Sequence, residues 1–180
     1  NYLINDIFKK KGFFDKEYRI IKRNTGEEIW VHGFGELEID RDGNPIKMIG
    51  TIQDISERKK AYEMLQKLSR AIEQSPNSVI ITNKDGNIEY ANFATYRMTG
   101  YNKDELLGKN LSVISAEKKS SKEYSKVWKT INSGNIWHGE FNSRMKNGTR
   151  FWEYLTISPI INSNGKITNF LTIGEDITEK

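Results

Sequence analysis

The chain has 180 residues, of which 36% are hydrophobic and 11% aromatic, and its 28 basic and 24 acidic residues give a formal net charge of +4. The basic residues are spread along the chain, which argues against a nucleic-acid partner. The absence of cysteine excludes disulfides, thiolate nucleophiles, iron–sulfur clusters and cysteinyl photochemistry. No apolar run approaches the ~20 residues that a membrane helix needs, so we expect a cytoplasmic segment without membrane contact.

The first part of the chain, residues 1–55, begins with the helical stretch "NYLINDIFKKKG" and continues with three strand-like runs. Turn sequences separate these runs, "RNTGEE" before the second and "DRDGNP" before the third. A glycine turn between apolar runs is typical of a β-hairpin. The pattern therefore predicts a helix followed by a meander of three antiparallel strands.

A connecting helix is predicted over residues 56–75, ended by Pro76. At its start Asp54 stands three residues before Glu57, with Ser56 between them, a spacing typical of a reciprocal helix cap. One narrow apolar seam follows the helix, with residues spaced four, three and four apart: Ala61, Leu65, Leu68 and Ile72. A seam of this width fits either a packed connector or a short dimerising coiled coil.

The rest of the chain, residues 76–180, predicts a fuller unit. Strands are expected at 78–83 and 88–91 around an Asp-Gly turn, followed by short helical pieces and a longer amphipathic helix around 117–133. Three further strand-like runs end the chain. They begin at "WHGEFNSR" and are separated by "MKNGTR" and "NSNGKI".

An internal repeat relates the two parts. A shift of 122 positions lays residues 26–58 on residues 148–180 without a gap, so that Trp30 meets Trp152. The first copy ends in "DISER" and the second in "DITEK". The second copy is therefore expected to repeat the strand-to-helix junction, with the following residues in the roles of Asp54, Ser56 and Glu57: Asp176, Thr178 and Glu179.

Residues 70–180 resemble a PAS domain with its C-terminal PAC motif. The resemblance lies in "SVIITNKDGNIEYANFA", "TGYNKDELLGKN" and "W.GEF...MKNG..FW....SPI....G.I......DITE". It implies an α+β fold with a five-stranded antiparallel sheet, order 2-1-5-4-3, and short helices over one face. Residues 1–55 resemble only the later part of such a domain, its last helix and three strands. Residues 56–75 would then connect a partial and a complete PAS unit.

The partial unit lacks the strands that would pair beside the strand at Met48–Gln53. That strand would be left as an open apolar edge, which invites pairing with another chain. We therefore expect residues 1–55 to be either a fragment of a longer domain or completed by a neighbouring copy. The expected partners are a second copy of the chain, through the connecting helix or this edge, and an effector domain beyond Lys180.

The complete unit is expected to enclose a pocket whose walls come from the strands and helices. The candidate residues are Met98, Leu106, Ile114, Val127, Trp128, Ile131, Trp137, Phe141, Trp152 and Leu171. Phe151 and Thr172 are alternatives to the last two. The plainer interpretation is that these side chains simply form the core. Arg144 and Arg150 are candidates to meet a carboxylate ligand.

Cofactor expectations follow from the same resemblance. A flavin–cysteinyl adduct is excluded without cysteine, and the polar flavin-binding positions fall at Ser143, Glu153 and Gly174, which are not the expected amides. FAD without cysteine stays an alternative, carried by the following residues: Asn110, Trp128, Trp137 and Glu140. Haem is disfavoured because the long helix has no histidine, while His32 and His138 lie on strands. The histidines are too far apart in the sequence to suggest a metal site.

No phosphate loop, dinucleotide motif or catalytic triad spacing is present, so no enzymatic activity is expected in this segment. The resemblance to PAS domains instead implies a sensory segment of a signal-transduction protein such as a two-component sensor histidine kinase, whose catalytic part would lie outside it. A ligand or partner would change the junctions that start at Asp54 and Asp176. The alternatives are a ligand-free dimerisation module and an FAD-binding redox sensor.

Overall fold

The computed structural model describes residues 13–116 and 122–178 of the chain. The first sheet contains β1 (Phe13–Ile21), β2 (Glu28–Ile39) and β3 (Pro45–Asp54), and helix α1 (Ser56–Glu73) follows it. Then come β4 (Ser78–Asn83), β5 (Ile88–Ala91), α2 (Phe93–Thr99), α3 (Lys103–Leu106), a 3₁₀ turn (Leu111–Val113), α4 (Lys122–Asn132), β6 (Trp137–Arg144), β7 (Arg150–Ile161) and β8 (Ile167–Asp176). The chain divides into two compact units, Asn1–Lys67 and Leu68–Lys180.

The second unit is built on a five-stranded antiparallel sheet with the strand order β5-β4-β8-β7-β6. Numbered within the unit this order is 2-1-5-4-3, so the predicted topology is confirmed. Its hairpins turn at the predicted sites. In the β6–β7 turn, Gly148 has φ of 89°, which favours glycine, and the side chain of Asn147 accepts the N–H of Thr149 at 2.9 Å.

Helices cover the inner face of this sheet and build its core. The longest of them, α4, buries Val127 and Ile131 against Ile157 of β7 and Phe170 of β8. This helix begins at Lys122 in the structure, whereas residues 117–121 of the predicted helix lie outside the described residues. A second apolar cluster forms under α3, where Leu106 packs against buried residues of β4 and β5.

A buried asparagine side chain holds the start of the second unit in place. The side chain of Asn92 accepts the backbone N–H groups of Val79 at 3.0 Å and Thr95 at 3.1 Å. Its amide nitrogen donates to the carbonyl groups of Ile72 at 2.9 Å and Asn77 at 3.0 Å. Asn92 therefore caps α2 and ties the end of α1 to the first strand with no side-chain hydrogen-bonding capacity left unused.

The first unit contains a three-stranded antiparallel sheet with the order β1-β2-β3. Within the described ranges, 13–116 and 122–178, β3 pairs with β2 alone, and every residue of β3 is exposed, including Met48 and Ile52. The predicted helix at residues 1–12 lies outside the described residues. β3 is therefore an open edge within these ranges, while the partial character of the unit and its completion by a neighbouring copy stay predictions.

Candidate functional site

A cavity of about 60 Å³ lies between the inner face of the second sheet and the helices that cover it. Five aromatic side chains form much of its wall: Tyr124, Trp128, Phe141, Phe151 and Phe170. Trp128 meets Phe170 edge-on, with 5.6 Å between ring centroids and 89° between planes. Because a cavity of ~150 Å³ binds benzene, this space holds a guest of about two or three non-hydrogen atoms.

Six of the ten predicted pocket residues line this cavity: Met98, Ile114, Val127, Trp128, Ile131 and Phe141. Two others are buried or packed beside it without lining it. Leu106 is fully buried in the separate cluster under α3, and Trp137 packs edge-on against Phe141 with ring centroids 6.3 Å apart. Both side chains support the core, so the pocket assignment was wrong for them.

Two further predicted pocket residues lie on the opposite face of the sheet. Trp152 is 48% exposed, because strand alternation turns its neighbours Phe151 and Glu153 inward. Leu171 likewise points away from the cavity, which its neighbour Thr172 lines. The inward residues are therefore the two alternatives, Phe151 and Thr172, and the assignment of Trp152 and Leu171 to the pocket was wrong.

A buried carboxyl group gives the cavity its chemical character. Glu153 of β7 is 5% exposed, and one of its oxygens accepts the hydroxyl of Ser143 on the neighbouring strand β6. Desolvation raises the pKa of Glu153 to about 7, although the bond from Ser143 works in the opposite direction. On the other side, a Cβ at Gly174 would lie 2.5 Å from the second carboxyl oxygen. A larger residue at that position would therefore force the carboxyl group of Glu153 to shift.

A second polar group in the cavity has no hydrogen-bond partner. Thr172 of β8 is 3% exposed and lines the cavity, and its Oγ1 finds no partner among the residues that the structure describes. The nearby Ser78 differs, since its hydroxyl lies 2.9 Å from that of Thr95. The cavity wall contains no lysine, arginine or histidine within the described ranges. Its one carboxyl group therefore has no basic partner there.

The cavity is a poor fit to a flavin ring system as it stands. A flavin site would be expected to have amide side chains at three positions. Here these positions hold the hydroxyl of Ser143, the carboxyl of Glu153 and no side chain at Gly174. Of the residues proposed to favour FAD, only Trp128 lines the cavity. Trp137 and Glu140 do not, and Asn110 instead donates to the carbonyl of Asp85 at 2.8 Å. A three-ring flavin would need α4 and Trp128 to move outward.

The remaining candidate ligand residues lie away from the cavity. His32 Nε2 is 2.7 Å from Asp15 Oδ1 on the neighbouring strand, and His138 is exposed. Arg144 and Arg150 face each other, exposed, beside the β6–β7 turn. Among the described residues no cluster of histidine and acidic side chains could hold a metal ion, and no helix is long and apolar enough to span a membrane.

The strand-to-helix junction of the first unit is held by three contacts. The carboxylate of Asp54 accepts the N–H of Ser56 at 2.9 Å, which lowers the pKa of Asp54. The hydroxyl of Ser56 accepts the N–H of Trp30 at 3.0 Å, and Ile55 donates to the Trp30 carbonyl at 2.9 Å. These bonds continue the β2–β3 pairing into the first residue of α1.

The second junction repeats these contacts at the positions 122 residues later. Asp176 accepts the N–H of Thr178 at 2.9 Å, Thr178 Oγ1 accepts the N–H of Trp152 at 3.2 Å, and Ile177 donates to the Trp152 carbonyl at 2.9 Å. The hydroxyl of Thr178 also donates to Asp176 at 2.6 Å. Glu179 lies outside the described residues. The repeated sequence therefore forms the same pattern of hydrogen bonds at both junctions.

The predicted reciprocal cap between Asp54 and Glu57 was wrong. Helix α1 begins at Ser56, so Asp54 lies one position too far out to be its N-cap. The aspartate instead closes a two-residue turn onto Ser56, and no hydrogen bond joins it to Glu57 in the described part of the chain. The sequence placed the junction at the right residues, but the hydrogen-bond partner of Asp54 is Ser56 and not Glu57.

Charged side chains on β1 hold the first turn of α1. Glu17 forms ion pairs with Arg58 and with Lys59, the latter at 2.5 Å, and the bond from Lys59 lowers the pKa of Glu17. The ammonium group of Lys59 also lies 4.9 Å from the ring centroid of Trp30. The sequence analysis missed this cluster, because residues 41 positions apart meet only through the sheet.

The predicted seam of α1 is not buried in the structure. All its members are exposed, Leu65 at 65% and Leu68 at 53%, and the described part of α1 has no buried side chain. Ala61 and Ile72 continue the same exposed stripe. The packed-connector interpretation therefore finds no support in the chain alone.

Comparisons with known proteins agree with the fold. Residues 76–179 match a family model described as "PAS domain", and residues 2–52 match one described as "PAS fold". The nitrogen fixation regulatory protein of Klebsiella pneumoniae is 27% identical over 107 residues, which cover 59% of this chain and 22% of that protein. The Dictyostelium discoideum hybrid signal transduction histidine kinase L is 27% identical over 134 residues, covering 74% of this chain and 8% of the kinase.

A human cAMP-specific cyclic phosphodiesterase is 32% identical over 103 residues, 57% of this chain and 12% of that enzyme. Among solved structures, a PAS domain from Colwellia psychrerythraea has a TM-score of 0.60 at 24% identity, with 65% of this chain and 99% of that chain covered. An RNA-binding light-oxygen-voltage receptor also has a TM-score of 0.60, at 14% identity, with 99% and 81% covered. The chain belongs to the PAS domain family.

Proposed function

We propose that the chain is the sensory segment of a signal-transduction protein, in which the state of the cavity biases the junction at Asp176. The proposal rests on the pairing of two residues on the neighbouring strands β7 and β8. Glu153, which lines the cavity, lies directly opposite Asp176 on β8, whose carboxylate holds Thr178. A change at the buried carboxyl therefore acts one strand spacing away from the junction.

The proposed mechanism is a population shift. A ligand in the cavity that favours one packing of β7 and β8 also favours one geometry of Asp176 and Thr178, by the difference between its affinities for the two states. Asp54 and Ser56 make the same contacts at the start of α1. A bias at either junction would change the helix that begins there.

The names of the relatives support a regulatory role without specifying the effector. They include a nitrogen fixation regulator, a histidine kinase and a cyclic phosphodiesterase, which differ in activity. The matched segment covers 22% or less of each of these proteins. We infer that the segment supplies regulation and that any kinase or phosphodiesterase activity belongs to another part of the full protein.

The junction is tested by replacing Asp176 with alanine in the full-length protein. We expect the segment to stay folded, because Asp176 is exposed and its contacts are local, while the response of the effector to the stimulus is lost or becomes constant. The matched control is Asn147→Ala, which removes the same kind of two-residue turn contact at a hairpin. An unchanged response in Asp176→Ala, with both variants folded by circular dichroism, would contradict the proposed role.

A second candidate function is supported by the exposed seam of α1. Four apolar residues on one helical stripe, exposed in the single chain, suit a two-stranded coiled coil between copies. In this alternative the chain is a dimerisation module, with or without a ligand. The open edge of β3 is a further surface at which a second copy could pair.

The dimer is tested with Leu68→Lys, which places a charge in the middle of the seam. We expect the variant to be monomeric at concentrations where the parent chain is dimeric, as measured by analytical ultracentrifugation. Gln66→Lys is the control, because Gln66 is exposed on the same helix and faces away from the seam. If the parent chain stays monomeric at high concentration, the seam does not pair copies of this chain.

FAD sensing is a further alternative, and an outward shift of α4 would have to accompany it. Trp128 is the residue that would meet the flavin, since it lines the cavity. An absorption spectrum of freshly purified chain distinguishes this alternative, because bound flavin absorbs in the visible range while the chain's own residues do not.

A further inference from the structure

The cavity of the second unit combines features that together select a class of ligand. An acid is buried in it, a hydroxyl without a partner faces it, and aromatic rings line it. The cavity wall contains no basic residue among those described. This inference rests on the proposed sensory function and names the ligand chemistry of the same cavity.

The buried carboxyl group favours a cation. One oxygen of Glu153 is bonded to Ser143, while the second lies beside Gly174, where no side chain covers it. A buried carboxylate needs a positive charge or a proton, because burial of an unpaired charge is strongly unfavourable. Asp176 on β8 cannot help, since its charge is also negative and it raises the pKa of Glu153.

The rest of the wall is also suited to a small cation with an apolar body. The aromatic rings of the wall offer an apolar surface to the alkyl part of such a cation. Thr172 Oγ1 lacks a hydrogen-bond partner within the described residues and can accept an N–H donor. The volume of about 60 Å³ limits the guest to about two or three non-hydrogen atoms. A primary amine carries several N–H donors within that size.

We propose that this cavity binds a small primary alkylammonium ion, with its nitrogen between Glu153 and Thr172 and its alkyl chain against Trp128 and Phe170. If Glu153 is protonated beforehand, its proton leaves to solvent when the cation enters. Binding therefore replaces a neutral acid by a carboxylate–ammonium pair opposite Asp176. That exchange of charge is the signal that the junction would receive.

The test titrates the 180-residue chain with ethylammonium and, separately, with ethanol, which has the same carbon skeleton but no charge. Shifts of amide resonances in β7 and β8 report binding by NMR. We expect the amine to bind more tightly than the alcohol and to lose about tenfold in affinity between pH 8 and pH 6, as Glu153 takes up its proton. The alcohol should show no such dependence.

Two variants assign the contacts. Glu153→Gln keeps the shape of the side chain. It should weaken the binding of the amine about tenfold or more and leave the affinity for the alcohol unchanged. Thr172→Val removes a hydroxyl that has no hydrogen-bond partner among the described residues, so it should fold at least as well as the parent and bind the amine more weakly. The second variant keeps the test decisive if the first fails to fold.

The outcomes separate this inference from the proposed function. Equal binding of amine and alcohol, unaffected by Glu153→Gln, would overturn the ammonium assignment and leave a neutral ligand in the same sensory cavity. Binding of neither probe would overturn the ammonium assignment as well. The sensory proposal is judged independently, by the response of the Asp176→Ala variant.

Discussion

Replacing Phe170 with alanine is expected to lower the free energy of unfolding of the second unit by about 3–5 kcal/mol. Phe170 is 1% exposed on β8, and it packs against α4 through Val127, Ile131 and the edge of Trp128. Removing the ring leaves a void that joins the existing cavity, and the strands and α4 can close it only in part. Urea unfolding of variant and parent measures the loss.

The internal repeat supplies the control. The position equivalent to Phe170 in the first unit, 122 residues earlier, is Met48, which is 49% exposed on β3. Met48→Ala should change stability by less than about 0.5 kcal/mol, because an exposed side chain gains little from packing. Residue-resolved hydrogen exchange assigns each effect to its own unit. If both variants lose stability equally, the core of the second unit does not depend on Phe170 as described.

The secondary structure and the topology of the second unit could be predicted from the sequence. Strands 78–83 and 88–91 have the predicted bounds. Their apolar runs are separated by an Asp-Gly pair, which strongly favours a hairpin turn. The strand order came from the resemblance, since hairpin signals say which strands are neighbours in sequence but not which strand lies at the centre. The pairing of β4 with β8 joins residues about 90 positions apart.

Which face of a strand is buried was harder to predict. Phe151 and Trp152 are adjacent aromatic residues, and alternation requires one to face inward without saying which. The indole of Trp152 lies outside because its backbone pairs with Ile177 and Thr178 at the junction, which fixes the register of β7. The sequence alone offered no way to rank those two rings.

The burial of Glu153 could not be predicted from local sequence, because it depends on two other strands. Ser143 of β6 supplies the hydrogen bond, and Gly174 of β8 supplies the space. In the first unit the equivalent of Glu153 is Val31, which is buried opposite Asp54. The two units thus share a junction but differ in the residue behind it, and only the second has an ionisable group there.

The stability of the second unit is expected to fall as the pH rises from about 4.5 to about 7, by roughly 3 kcal/mol, through Glu153 alone. Its pKa rises from 4.5 to about 7 on folding, and each unit of difference corresponds to 1.36 kcal/mol. The folded state therefore holds a proton that the unfolded state has released in this window, so raising the pH favours unfolding. Below about pH 4.5 the carboxyl is neutral in both states, and this contribution to stability is complete.

Glu153→Gln removes this ionisation while it preserves the side-chain shape and one oxygen to accept from Ser143. The substitution leaves the neighbouring acidic groups in place, Asp176 on β8 and Tyr124 of α4, so the difference between variant and parent reports on Glu153. We expect the variant to gain roughly 3 kcal/mol on the parent between pH 4.5 and pH 8, measured by urea unfolding at intervals of pH. Glu140→Gln, on the exposed face of β6, should leave the parent's profile unchanged. Parallel profiles for parent and Glu153→Gln would mean that the carboxyl reaches water in the folded state, and the cavity would then lack the buried acid on which its proposed selectivity depends.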